Sequence, residues 1–358
     1  MKRALIAGLV IAGMGASVWQ CTKERGPESS LKESLSLNTV RLGKALDAIS
    51  NSSAYRMLLA ATGSSLKSAL SDSTVYLDSI QLKDISGVYE FELPDSMSYH
   101  HHGLYRMFRK TGESDNLVVK LPEGRLFHPR KLWNPFDRDT VGPNNFVITA
   151  SEYHYYFAHG FIYDYRLNAG FDLNDTALGN LDIQSYRNSW NDFLFSSSYS
   201  FPEGYTIKVD QESGDTSTFS MALLQGSDVL LKESMQKIRQ EGQRQHEHEY
   251  SLTIGNVMIT RSSKADSMLV YLNGVLQPDA KVEIIDTGQE TGDDMHSVRH
   301  NRDIQITFED GTVTTVSGLL GPSKEILSGL VDSLSDMSFA TRILDYIAWN
   351  IYIGNTLE

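Results

Sequence analysis

Cysteine is nearly missing from this sequence, since Cys21 is the single one among 358 residues. One cysteine excludes an intramolecular disulfide framework and any zinc or iron–sulfur site built from several cysteines. Basic residues are also in the minority, with 32 Lys and Arg against 45 Asp and Glu and a formal net charge of −13. An acidic chain is poorly suited to binding nucleic acid through its body, so we expect no nucleic-acid partner.

Several catalytic motifs are missing as well. The chain contains no Gly-x-Gly-x-x-Gly, no Walker-type phosphate loop, no His-Glu-x-x-His and no Gly-x-Ser-x-Gly. These are the patterns that hold dinucleotides, nucleotide phosphates, catalytic zinc and a serine nucleophile. The sequence therefore predicts a protein that is not an enzyme and that needs no cofactor. A hydrolase using Asp or Glu side chains stays open, because no spacing singles out a carboxylate pair.

The first 20 residues have the pattern of an export signal. Lys2 and Arg3 precede an uncharged, mainly apolar stretch from Ala4 to Trp19. That stretch is shorter than the roughly 20 residues that a membrane-spanning helix needs. A charged start followed by a short apolar segment is typical of signal peptides.

The position of Cys21 directly after this stretch resembles a bacterial lipoprotein precursor. In that family the signal is cut before a cysteine, which becomes the lipidated N-terminus. The resemblance covers about the first 25 residues. It implies a signal peptide over 1–20, lipidation of Cys21 and a polar tether over 21–30. It also implies that the lipid attaches the protein to a membrane of the cell envelope. The expected location is the outer membrane of a Gram-negative bacterium. The alternative is an ordinary signal peptide cut near Ser17, which leaves Cys21 as a free thiol.

A tripeptide of Asp, then Ser or Thr, then an apolar residue or Thr occurs seven times, against about 1.5 expected by chance. It is similar to the O-glycosylation sequon of some exported Gram-negative proteins, but Asp-Ser and Asp-Thr also favour turns and helix caps. The instances begin at Asp72, Asp78, Asp95, Asp139, Asp175, Asp266 and Asp332.

The remaining chain, 31–358, has the composition of a single large β-rich domain, with a possible boundary near 200–215. Apolar residues at helical spacing predict a helical pair over 31–70 and two helices after Gly321. Between them, β-branched and aromatic runs alternate with turn signals such as Asn273-Gly274 and Asp310-Gly311. We therefore expect an α+β fold, with a mainly antiparallel sheet and the terminal helices packed on it.

The most unusual local composition is a cluster of aromatic residues. Tyr153 and Tyr155 would share one face of a strand, and Tyr163 and Tyr165 one face of the next. Exposed rings of this kind could stack on a sugar or fill a partner's pocket. The alternative is that the rings form core and cross-strand aromatic pairs.

Histidines and acids suggest weak metal candidates. His296 and His300 stand four residues apart and would share a helix face, which makes them the best candidate pair. Residues 100–102 are three consecutive histidines, and His246 and His248 would share a strand face. Asp172 to Asp175 resembles the start of a calcium loop but lacks its glycine and distal glutamate. The alternative explanation, which the sequence favours for all of these, is polar surface loops and turns.

Three functions follow as hypotheses. The first is a non-catalytic, lipid-anchored envelope protein whose β-rich surface binds a partner protein or a glycan. The second is a periplasmic carrier that encloses an apolar ligand, and the third is the acidic-residue hydrolase. A carrier would have an apolar cavity open to solvent, whereas an enzyme would have converging polar groups with perturbed pKa values.

Overall fold

The structure is a computed structural model that describes residues 30–62, 79–92, 108–123, 142–158, 162–189, 192–239, 246–265, 268–286, 302–321, 323–336, 344–345, 347–349 and 351–352. The predicted signal peptide, Cys21 and the tether up to residue 29 lie outside these ranges. Within them, no helix is long and apolar enough to cross a membrane.

The fold is α+β and is dominated by strands, as the sequence predicts. The described strands of the main sheet number 15. They are β1 Ile80–Gln81, β2 Gly87–Phe91, β3 Phe108–Gly112, β4 Leu117–Leu121, β5 Phe146–Ala158, β6 Ile162–Leu173, β7 Thr176–Ser189, β8 Asp192–Ser200, β9 Tyr205–Ser213, β10 Thr216–Gln225, β11 Asp228–Arg239, β12 His246–Ile254, β13 Val257–Ser262, β14 Met268–Leu272 and β15 Val275–Leu276.

Most of this sheet is an antiparallel meander. From β4 to β15 each strand pairs with the next one along the chain. β8 and β9 belong to this run and pair with each other, so the sheet is continuous through the region 200–215. The first strands depart from the pattern, because β2 pairs in parallel with β4 while β3 flanks β2. β1 pairs with the far end of β5.

Short turns connect the long strands. Asn273 and Gly274 have φ of 51° and 78° between paired Leu272 and Val275, as a type I′ hairpin requires. This confirms the hairpin predicted there. The Asp310-Gly311 turn also joins two paired strands, but only Gly311, at φ 77°, is left-handed among its residues. The hairpin predicted at Asp310-Gly311 is therefore confirmed, but its turn is not the predicted type I′ turn, in which both central residues are left-handed.

A small antiparallel sheet lies beside β14. Its strands are β16 Lys281–Asp286, β17 Arg302–Thr307 and β18 Val313–Thr315. β16 contacts β14, which places the small sheet at the end of the meander.

Five described helices accompany the sheets: α1 Leu31–Ser50, α2 Ser53–Thr62, α3 Leu82–Ile85, α4 Val316–Leu320 and α5 Ser323–Asp336. Residues 344–345, 347–349 and 351–352 are also helical. α1 begins with a capping box, in which the Ser30 hydroxyl accepts from the Glu33 amide and the Glu33 carboxylate accepts from the Ser30 amide. These reciprocal bonds satisfy amides that have no partner within the helix.

One face of the meander, called the inner face below, packs against helices. α1 contacts β11, β12 and β13, α2 contacts β7, and α5 contacts β8 and β9 as well as α1 and α2. Side chains alternate in burial along β2, β4 and the first half of β5, as Phe146, Ile148 and Ala150 show on β5. The core therefore lies between the helices and the inner face, and the outer face of the sheet is turned to solvent.

Candidate functional site

The inner face is left partly open over β10–β14, where an apolar cleft of about 920 Å³ lies. Its size falls within the range of small-molecule sites, roughly 300–1,000 Å³. The main sheet forms one wall. The other walls come from β16, β17, α4 and α5, with Ile304, Leu320 and Leu327 as apolar lining residues.

The sheet wall consists of two rows of side chains that cross the strands in register. The deep row contains mostly buried residues. Met221, Glu233 and Leu252 line the cleft, and Ile259 and Val270 continue the row beyond it. The mouth row lies one pleat further along and is more exposed, and its members are Phe219, Met235, Tyr250, Arg261 and Met268. Because side chains on one face recur every second residue, the two rows form a continuous surface.

Glu233 is the charged residue of the deep row. It lies between Met221 and Leu252, which are both buried. Its carboxylate accepts a hydrogen bond from the Tyr250 hydroxyl. Burial, followed by the charge of Glu233 and this hydrogen bond, raises the pKa of Tyr250 well above its ordinary value. The tyrosine therefore stays a neutral donor to the carboxylate.

Three acids line the cleft, Glu233, Glu249 and Asp303, and both carboxylate oxygens of Asp303 on β17 accept hydrogen bonds. The Ser317 hydroxyl and amide both donate to it, as does the amide of Ile304. Burial alone would raise the pKa of Asp303, but these hydrogen bonds outweigh burial and lower it below the ordinary value. Through these hydrogen bonds, Asp303 connects the start of α4 to β17 of the small sheet.

Two cationic side chains also line the cleft. Arg261 belongs to the mouth row, and Lys324 stands in the first turn of α5 on the opposite wall. Both are exposed. Among the described residues, neither forms an ion pair with a carboxylate of the cleft. The mouth is therefore cationic on two walls, while the deep row is anionic.

The predicted tyrosines lie elsewhere, on β5 and β6. These strands pair with Tyr155 opposite Tyr165, so the rings of both strands face inward, as the alternation predicts. Tyr153 is 3% exposed, and the Tyr153 and Tyr165 rings meet edge to face, with centroids 6.0 Å apart and planes at 83°. Tyr155 meets Tyr165 in the same way at 6.4 Å. The three rings form cross-strand aromatic pairs.

A carboxylate far away in the sequence completes this cluster. The hydroxyls of Tyr153 and Tyr165 both donate to Oδ1 of Asp345, each at 3.0 Å. Burial raises the pKa of Asp345 to about 7, although the two hydrogen bonds act in the opposite direction. Burial and the nearby Asp345 charge raise the pKa values of Tyr153 and Tyr165 well above the ordinary value. The cluster thus ties the C-terminal helical residues to the sheet.

Tyr163, the fourth predicted tyrosine, contacts a different partner. The guanidinium carbon of Arg187 lies 5.6 Å from the Tyr163 ring centroid and 5.0 Å from that of Phe193. The Ser185 hydroxyl donates to the Tyr163 oxygen at 3.1 Å. Tyr163 therefore takes part in a cation–aromatic stack on β6–β8.

The metal candidates are only partly within the described ranges. His296, His300 and residues 100–102 lie outside them, and of the strand pair only His248 has a described side chain, which is exposed on β12. No group of three or more His, Cys, Asp or Glu side chains in the described part of the chain could hold a metal ion.

The acidic sequence signals have turn or helix positions where the structure describes them. Asn174 and Asp175, with φ of 50° and 59°, form the two-residue turn between β6 and β7, which is the simple turn that the calcium-like pattern also allowed. Of the seven Asp-Ser/Thr motifs, Asp175 is thus in a turn and Asp332 is in α5. The other five begin outside the described residues.

Sequence reasoning missed both Glu233 and Asp345 as site residues. Each is one acid among many in the sequence, and Asp345 meets Tyr153 across 192 positions. For Glu233, the available signal was its place in an otherwise apolar alternation on β11, with Leu231 and Met235 on the same face.

Comparison with protein-family models, curated proteins and solved structures gives no significant match.

Proposed function

We propose that this protein is a lipid-anchored envelope protein that binds an apolar ligand in the cleft, without catalysing its conversion. The cleft is the observation that carries the proposal. It joins an apolar sheet wall to apolar side chains from α4, α5 and the small sheet, and it opens to solvent at the mouth row. Those are the features that distinguish a carrier from the other two hypotheses.

Two of the three acids that line the cleft have hydrogen-bond partners, which supports binding rather than hydrolysis. Asp303 is engaged by Ser317, and Glu233 by Tyr250. A glycosidase pair requires one carboxyl group with a raised pKa facing a second across the substrate. Asp303 has the opposite perturbation, because its pKa is lowered.

The cleft is tested by filling it. Met268→Trp enlarges a half-buried side chain of the mouth row, so the affinity for a neutral apolar ligand such as dodecanol should fall at least about tenfold. Val275→Trp is the matched control, because Val275 is 64% exposed on the neighbouring strand β15. Titration calorimetry on the full-length chain measures both. Absence of dodecanol binding by the wild type, or equal affinity in Met268→Trp, would contradict the proposal.

The anchor is tested separately, at Cys21. The wild-type protein should yield an acylated Cys21 peptide by mass spectrometry, and Cys21→Ser should abolish both acylation and membrane retention. A mature N-terminus at Val18 without lipid would disprove the anchor, although it would leave the cleft untouched.

A second candidate function, glycan binding, is supported by a patch on the outer face. Tyr186 is 41% exposed on this face. It lies beside the ion pair of Asp164 and Arg166, in which Oδ2 and Nη2 are 3.0 Å apart. An exposed ring next to paired charges suits a sugar face and its hydroxyls. Tyr186→Ala should weaken retention in affinity electrophoresis through an envelope polysaccharide, whereas Tyr271→Ala on β14 should not. Equal retention of both variants and the wild type would rule this candidate out.

A further inference from the structure

The deep row of the cleft contains a charge that has no ion-pair partner among the described residues. Glu233 is half-buried and is flanked across the strands by Met221 and Leu252, at 6% exposure each. Moving a carboxylate out of water costs free energy unless it is paired and hydrogen-bonded. A carboxylate offers about four acceptor positions. Tyr250 fills one of them.

Neither cation of the cleft is paired with Glu233 among the described residues. Arg261 stands two strands and two residues from Glu233, so their Cα atoms are roughly 12 Å apart by ordinary strand spacing. Lys324 belongs to the opposite wall, on α5. Both are exposed to solvent, where salt screens a charge over roughly 8–10 Å. Glu233 itself lines the cleft, so its carboxylate is accessible to a ligand there.

We propose that the ligand of the cleft carries a protonated amine, and that this ammonium group lies against Glu233 while the apolar part of the ligand packs along the two rows. This inference rests on the proposed function, since it names the chemical class of ligand for the same cleft. An ammonium group brings three donors and a full charge, which match the free acceptor positions of the carboxylate.

The surroundings of Glu233 favour such a ligand over a neutral one. A carboxylate among apolar side chains loses hydration, and an apolar ligand without a donor would remove the rest of it. A ligand with an amine replaces that hydration with charge-assisted hydrogen bonds. The formal net charge of −13 also attracts cations to the protein as a whole.

A series of ligands with one chain length tests the proposal on the wild-type, full-length protein. Dodecylamine, dodecanol and dodecanoate share the apolar chain and differ in the head group. Measured below their critical micelle concentrations by titration calorimetry, dodecylamine should bind at least about tenfold more tightly than dodecanol. Dodecanoate should bind more weakly than dodecanol. Dodecyltrimethylammonium, which is charged but has no N–H donor, should lie between the amine and the alcohol.

Two variants locate the effect. Glu233→Gln keeps the size of the side chain and removes its charge, so it should reduce the preference for dodecylamine over dodecanol to less than about threefold. Glu212→Gln is the matched control, because Glu212 is exposed on β9 and points to the outer face. That variant should keep the wild-type preference. Thermal unfolding checks that both variants are folded. If Glu233→Gln does not fold, the ligand series measured on the wild-type protein still tests the proposal.

The failures of the two proposals are distinguishable. If none of the four ligands binds, the cleft is not an apolar ligand site and the proposed function is wrong. If dodecanol and dodecylamine bind equally, or if Glu233→Gln keeps the amine preference, the cleft binds apolar ligands and the amine assignment is wrong. Tightest binding of dodecanoate, lost in Arg261→Gln, would overturn the assignment in favour of an anionic head group at the mouth.

Discussion

Two stretches of the inner face place an acid next to tyrosine, and they differ in what covers them. Over β5 and β6, Asp345 meets the hydroxyls of Tyr153 and Tyr165, and the helical residues around 345 lie over the rings. Over β11 and β12, Glu233 meets the single hydroxyl of Tyr250, and the space beyond it is the cleft. The contact between acid and tyrosine thus stabilises packing in the first region, whereas in the second it leaves the carboxylate accessible from the cleft.

Burial sets the pKa of the acid in the covered region. Burial dominates at Asp345 and raises its pKa to about 7, so the covered acid is uncharged over part of the physiological range. Burial also raises the pKa of Tyr250 in the open region, which keeps this residue a donor. Cover by a helix, more than the residues of the sheet, decides which acid is available to a ligand.

The largest effect is expected in α5, which packs on β8 and β9, the strands between the two regions. Leu330 is fully buried on α5, which contacts β8 and β9 and also lines the cleft. Leu330→Ala removes buried apolar atoms and leaves a cavity, so the free energy of unfolding should fall by about 2–5 kcal/mol. Leu37→Ala, at a 67% exposed position of α1, is the control and should change it by less than about 0.5 kcal/mol. Urea unfolding measures both. Equal losses of unfolding free energy in the two variants would show that α5 is not packed against the core.

The next prediction concerns pH and the covered acid. The folded state raises the pKa of Asp345 to about 7, against about 3.9 in an unfolded chain. The folded state therefore binds this proton more tightly, and the stability that Asp345 contributes is complete below about pH 4 and is lost as pH rises through about 7. Asp345→Asn, which stays neutral, should gain stability relative to the wild type between pH 5 and pH 8.

The measurement is thermal unfolding of both proteins across that range. Asp279→Asn, at an exposed turn position, is the control and should run parallel to the wild type. Parallel curves for Asp345→Asn would show that Asp345 is not covered, and the contrast between the two regions would disappear.

The smallest effect concerns the attachment of α1 to the open region. The Asn38 amide donates to the carbonyl of Ile254 at 3.0 Å and to Asn256 Oδ1 at 2.7 Å, and it lies over Gly255. Asn38→Ala should lower the free energy of unfolding by about 1 kcal/mol, the usual value of such hydrogen bonds. Its effect on dodecanol binding should exceed that of Thr39→Ala, whose hydroxyl bonds only within α1. Unchanged stability and binding would mean that α1 does not support the cleft.

The sequence predicted the type of most elements better than their extent. The apolar run at Phe146 to Thr149 predicts a strand, and β5 continues beyond it to Ala158, paired with β6 along this extension. The local pattern of residues 235–249 fits both a helix and a long exposed strand, and their described parts belong to β11 and β12. In each case pairing with a neighbouring strand, which no local pattern contains, fixed the outcome.

The candidate site was much less predictable. The alternation places Tyr153 and Tyr155 on one face of a strand, and Tyr163 and Tyr165 on one face of the next, and this is confirmed. Their acid partner could not be inferred, because Asp345 is far away in the sequence and has no local peculiarity. The cleft exists because the small sheet and α5 leave a space next to the mouth row. Their position results from tertiary packing and cannot be inferred from composition.

The meander has a consequence for the order in which this protein folds. Pairing from β4 to β15 joins neighbours along the chain, so each hairpin needs only a short loop to close before it gains its contacts. The helix layer is different, since Lys32 of α1 reaches Asp310 across 278 positions. We expect the sheet to form first and the helices to dock last. Until they dock, the whole inner face is exposed, which makes this interval the period of greatest aggregation risk.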